Sequence, residues 1–190
     1  MFQWLKRKAE TRRIGHEIYE RIVAQARDPA FFRDMGVPDT MEGRFEMIVL
    51  HLALVLDRLR TEGGAGQRLG QRLIEHLVAD MDDALRQLGI GDMGVPRRVK
   101  KVAAAFVERS RDYSAGLKLA PVKGLLIEDK LEASLLRHVF GTGDAVGAPV
   151  HVPKAVALAA YARLAAAHLA KVPADDLFEG QGLFPTPAAA

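Results

Sequence analysis

From Phe45 to Leu56 the only polar side chains are Glu46 and His51. An α-helix this apolar has no wet face to offer, so it needs neighbours around most of its circumference and belongs at the centre of a helical domain. Its start is written just upstream. Pro38 fixes φ, Asp39 or Thr40 is placed to accept from the first free N–H groups, and Glu42 follows Asp39 by three residues in the spacing of a capping box. The apolar core of this run, Met47 to Leu56, spans ten residues against the roughly 20 that a bilayer requires. It is therefore a core helix and not a membrane span.

Helical periodicity recurs on both sides. Ile14, Ile18, Ile22 and Ala26 mark a helix over Thr11–Ala26 that Asp28-Pro29 ends. The adjacent Phe31 and Phe32 read as plugs over a helix pair. Glu62-Gly63-Gly64-Ala65-Gly66 reads as a flexible loop. Leu69, Leu73, Leu77, Met81, Leu85 and Leu88 then define a third helix, with Gly89 placed as its left-handed cap. Pro96 opens a fourth, a fifth spans Leu125–Phe140, and Pro153 opens an Ala-rich sixth that ends near Val172. No strand alternation appears. The fold class expected is all-α: one domain of about six helices, covering residues 14–172, around the Phe45–Leu59 helix.

A chain of 190 residues is long enough to bury a real core. The net charge of +3 falls short of what a dedicated nucleic-acid binder carries, so sequence-specific nucleic-acid binding is not expected. The distribution says more than the total. Residues 1–13 form an arm in which Phe2, Trp4 and Leu5 precede Lys6, Arg7, Lys8, Arg12 and Arg13, with Glu10 the lone acid. Its apolar run is too short for a secretory signal. Phe2, Trp4, Lys6, Arg7 and Lys8 suit an anionic surface, which points to a cytoplasmic protein peripheral to the cytoplasmic face of the inner membrane. After Pro173 the segment 173–190 is acidic and apolar and reads as a loose tail.

Two charge clusters flank the connector between the third and fourth helices. Asp80, Asp82 and Asp83 sit near a helix end, and Arg97, Arg98, Lys100 and Lys101 near a helix start, each against the local dipole. Such placements cost stability. The two clusters either neutralise one another or present themselves to a partner.

QARDPAFFRDM (Gln25–Met35), the Gly36–Leu59 stretch, and DMDDALRQLGIGDMGVPRRVKKVAAAFVERSRDY (Asp80–Tyr113) together resemble the ubiquinol-cytochrome c chaperone family. The resemblance spans Ile14–Tyr113. It implies a non-catalytic chaperone that assists assembly of respiratory complex III by acting on nascent or newly inserted cytochrome b, with no cofactor of its own. Eukaryotic relatives are associated with ribosomes and with a small partner protein, so the ribosome and the membrane surface are further expected contacts. The brevity and Ala richness of the chain look bacterial.

Catalytic patterns are weak. Gly89–Gly94 fits G-x-G-x-x-G by letter, but a helix precedes it where a dinucleotide fold needs a strand. His16-Glu17-Ile18-Tyr19-Glu20 lacks the second histidine of a zinc motif, and Glu-x-x-His does not occur. The competing reading is a small-molecule or cofactor-binding helical protein with Arg44, Glu46 and His51 turned into one pocket. Arg44 and His51 are seven apart and share a helix face, whereas Glu46 and His51, five apart, do not.

Overall fold

The computed structural model describes residues 2–87, 94–119, 129–141 and 151–187, with side chains from Arg13 onward. Its elements are α1 (Phe2–Ala26), α2 (Pro29–Arg33), α3 (Met41–Leu59), a 3-10 turn (Arg60–Glu62), α4 (Gly63–Gln87), α5 (Val95–Leu117), α6 (Lys130–His138), α7 (Val152–Leu169) and α8 (Ala174–Glu179). No strand occurs among the described residues. The six expected helices are α1 and α3 to α7; α2 and α8 are short additions. The Gly89 cap, the glycine pattern it begins and the Leu125 start of the fifth helix lie outside the described residues.

Helix α3 is the hub. It packs against α1, α4, α5 and α7, and Met47, Val49, Leu50 and Leu52 are fully enclosed. Leu56 is only half-buried. The helix begins one residue later than the capping-box spacing implies. Thr40 is the N-cap and its Oγ1 accepts from Gly43 N–H at 3.1 Å. Asp39 instead holds Arg44 at 2.6 Å, so Glu42 has no reciprocal bond to make. Phe31 fulfils the plug expectation, fully buried with its ring edge-on to His51 and Tyr161.

The glycines at 63–66 are not a flexible loop. Gly63, at φ +60°, turns the chain directly from the 3-10 turn into α4. A Cβ on Gly66 would stand 2.0 Å from the carbonyl oxygen of Leu59. These residues are small because two helix ends meet without a spacer.

The C-terminal segment also differs from expectation. It is docked rather than loose: Leu177 and Leu183 are buried, Arg21 donates to Gly180 O at 3.1 Å, and Phe184 lies edge-on to His51 at 5.0 Å. Apolar side chains spaced along an acidic strap cover the seam between α1 and α7, and that burial outweighs the entropy of a free end. At the other terminus, α1 is helical from Phe2, well upstream of Thr11, so the basic arm continues a folded helix in its backbone.

Candidate functional site

The structure separates Arg44, Glu46 and His51. Arg44 is exposed at the start of α3 and bound to Asp39. Glu46 points at α5, where Arg109 Nε donates to both carboxylate oxygens at 2.7 and 2.8 Å. Burial raises the Glu46 pKa, and the Arg109 hydrogen bond and charge oppose the rise. His51 points at α7. The reason is helical rotation: at about 100° per residue, two positions five apart diverge by about 140°. No common pocket forms.

His51 is a satisfied core residue. Its Nδ1 lies 2.7 Å from Met47 O, which only accepts, so Nδ1 carries the proton. Nε2, 2.9 Å from the Tyr161 hydroxyl, then accepts from it, and Gln25 donates to the same hydroxyl at 3.3 Å. Phe31, Tyr161 and Phe184 close around the ring. Both nitrogens are committed, which leaves no lone pair for a haem iron. Full burial lowers the His51 pKa from 6.5 to about 4.

That shift has a sign. Between pH 6.5 and 4 the unfolded chain takes up a proton the folded chain refuses, so the contribution is whole above pH 6.5 and is lost as pH falls toward 4. Between pH 7 and pH 5 this one residue should cost about 2 kcal/mol of stability. Urea unfolding at both pH values checks it; His51→Gln, neutral throughout, should show a correspondingly smaller loss. An unchanged pH dependence in the variant would remove the assignment.

The surface feature with the right character for a protein ligand lies at the other end of α3. A groove of about 510 Å³ opens where α3, α4 and α5 meet. Its apolar lining comes from Met41, Phe45, Ile48, Met81, Leu85 and Val102, and its polar rim includes Arg27, Arg44, Glu42, Asp80 and Asp83. Met41 is 61% exposed, unusual for a large apolar side chain. Two methionines among branched and aromatic neighbours give a surface able to repack around different apolar segments.

The charge clusters frame this groove. Asp80 and Asp83 stand on its rim, with Asp80 also accepting from Tyr19 Oη at 3.0 Å and Asp82 paired with Arg86 at 2.6 Å. Arg97, Arg98, Lys100 and Lys101 are on the first turns of α5, all four exposed, beside the groove residue Val102. Among the described residues no ion pair joins the acidic cluster to the basic one. Sequence reasoning did not anticipate Arg109 or Tyr161. Arg109 had a signal: it falls on the same face as Phe106, Ser110 and Tyr113, all of them buried, and a cation on an apolar face implies a buried acid. Tyr161 had one too, as the one tyrosine of an Ala-rich helix.

A helical domain that, among the described residues, buries its central helix and carries an open, charge-rimmed apolar groove has the attributes of a protein-binding module. The chain belongs to the ubiquinol-cytochrome C chaperone family, whose sequence model matches residues 33–184. It is 33% identical to the Cbp3 homolog from Brucella abortus, whose crystal structure superposes with a TM-score of 0.79 over 98% of this chain and 97% of that one. It is also similar to the ubiquinol-cytochrome c reductase complex assembly factor 1 of Drosophila melanogaster, at 26% identity over 70% of this chain and 50% of that protein. The corresponding factor of Xenopus laevis matches at 23% over 46% of this chain and 44% of that one. The chain thus spans about half the length of these two relatives.

Proposed function

We propose that the chain is a non-catalytic assembly chaperone of ubiquinol-cytochrome c reductase, that its client is cytochrome b, and that the α3/α4/α5 groove holds an apolar segment of that client. Family membership across residues 33–184 is the observation that carries this reading. The groove supplies the physical means: it shields apolar surface while the rim charges set orientation. No described helix is long and apolar enough to cross a membrane. The chaperone meets its client at the membrane surface, where Phe2, Trp4, Lys6, Arg7 and Lys8 contribute attachment to anionic lipid. Vesicle sedimentation compares the intact chain with one starting at Ile14; equal binding by both at low and moderate salt would leave the arm without this role.

The basic start of α5 is the proposed partner contact, to the client or to a ribosomal surface. Pairing with Asp80, Asp82 and Asp83 does not account for it. Reversing Arg97 and Arg98 to Glu should leave thermal stability nearly unchanged, because both side chains are exposed. It should weaken the association several-fold at low salt, with the difference shrinking as salt rises. The readout is complex III abundance in cells carrying the reversals with the chaperone at normal level. Normal complex III there would remove the α5 cluster from the mechanism.

A further inference from the structure

Helix α5 turns Phe106, Ser110 and Tyr113 into the bundle, and its other side carries a stripe of a different kind. Lys100, Ala104, Val107, Arg111, Ala115 and Lys118 are all exposed. Steps of three and four residues keep them within about 80° of one another around the helix, along a line about 27 Å long. No acid falls on this line; Glu108 lies about 100° round the helix from Val107. On α1 and α4, by contrast, Arg13, Arg72 and Arg86 each have a carboxylate one turn away, from Glu17, Glu75 and Asp82. Among the described residues Lys100 and Lys118 are in no ion pair. Arg111 reaches Asp112 at 3.9 Å, and the other oxygen of that carboxylate lies 3.4 Å from His138 Nε2. Between these cations stands Val107, 66% exposed, more so than the other large apolar side chains described.

We propose, resting on the reading that the chain works at a membrane surface, that this stripe lies flat on anionic phospholipid as an attachment separate from residues 1–13. Long cationic stems interleaved with short apolar side chains on one line are what an interfacial helix presents. The ammonium and guanidinium groups reach headgroup phosphates while Val107 and the alanines enter the headgroup layer. Nucleic acid accounts for less of the face. It would reward the cations but not an exposed valine, and the rings of α5 that could stack on bases, Phe106 and Tyr113, are buried on the far side. An acidic protein would have to place carboxylates to match three cations strung along about 27 Å, whereas a bilayer offers anions everywhere along the line. Docking in this way leaves the groove open: Val102, on its lining, is five residues from Val107 and so about 140° round the helix.

Vesicle sedimentation of the full chain, with residues 1–13, Arg97 and Arg98 unchanged, compares phosphatidylcholine with and without phosphatidylglycerol. Each cation near an anionic surface is worth roughly fivefold in partition, so Arg111→Gln with Lys118→Gln should lower binding to the anionic vesicles about 20-fold at low salt, and less as salt rises. Val107→Ser should weaken it about threefold at any salt, because its share is apolar. All three positions are exposed, and an unchanged melting temperature verifies that the variants fold. The chain has no cysteine, so Val107→Cys can carry a polarity-sensitive fluorophore. Its emission should move to the blue on anionic vesicles, and the same fluorophore at Ala24→Cys, an exposed position of α1, should not. Wild type bound equally to both kinds of vesicle, or to neither, would overturn the membrane-surface reading and the stripe with it. Wild type selective for the anionic vesicles, with the double variant bound as tightly or no blue shift at 107, would overturn the stripe alone. Loss of ribosomal RNA binding by the double variant with vesicle binding intact would overturn it in favour of nucleic acid.

Discussion

Replacing Arg109 by Leu should destabilise the fold by about 3 to 5 kcal/mol, the loss expected when one partner of a buried ion pair is removed. Glu46 is 5% exposed and faces α5, and the Arg109 guanidinium is its hydrogen-bonding cation. Without that partner the carboxylate is buried and unpaired, so its pKa, already raised by burial, rises further. The pH dependence follows. A folded pKa above the unfolded value means stability that is present at low pH and lost as pH rises through the folded pKa. The Arg109→Leu variant should therefore recover toward wild type on acidification, the opposite of the trend that His51 imposes on the native chain. Replacing Glu46 and Arg109 together by Leu and Leu should restore most of the loss, since an apolar pair of similar volume leaves no charge unpaired. Urea unfolding at pH 7 and pH 5 reads both effects. A single variant within about half a kcal/mol of wild type at pH 7 would mean the pair is not buried in solution.

The second large effect belongs to α3. Leu52 is fully buried, and Leu52→Ala should cost about 2 to 5 kcal/mol, the lost transfer energy plus the cavity left in a hub gripped from several sides. Leu56→Ala should cost less, because Leu56 is half-buried and its Cδ2 rests over Gly70, 3.0 Å from where a Cβ would stand. Denaturant midpoints of both variants test the ranking. Equal losses at 52 and 56 would contradict the burial of α3 as described.

What the sequence made legible was whatever local chemistry decides alone. The run from Phe45 to Leu56 announces a central helix because no other environment accommodates it, and leucine spacing in α4 gives its packed face. Long-range choices were not legible. Gly63, Gly64 and Gly66 look flexible until the end of α3 is seen to leave no room for a Cβ at Gly66. The acidic C-terminal strap looks free until Leu177, Leu183 and Phe184 find the seam between α1 and α7. The spacing of Glu46 and His51 already argued against a pocket shared with Arg44, but it could not say which neighbour each side chain meets: Asp39 for Arg44, Arg109 for Glu46 and Tyr161 for His51. Of the groove, only the acidic rim was visible beforehand. Its apolar floor is assembled from three helices, with Met41, Met81 and Val102 distant in sequence, and no periodicity within any one helix reveals that.

On the proposed function, the α3/α4/α5 groove holds an apolar segment of cytochrome b. Co-isolation from membranes tests it most directly, using the full chain and a Met41→Lys variant, which places a charge in the groove at a side chain already 61% exposed and so spares the fold. Wild type should retain cytochrome b whether or not haem is supplied. Met41→Lys, equally stable by thermal melting, should lose most of that cytochrome b. Absence of cytochrome b from the wild-type isolate would contradict the client assignment, and equal recovery by both proteins would contradict the groove.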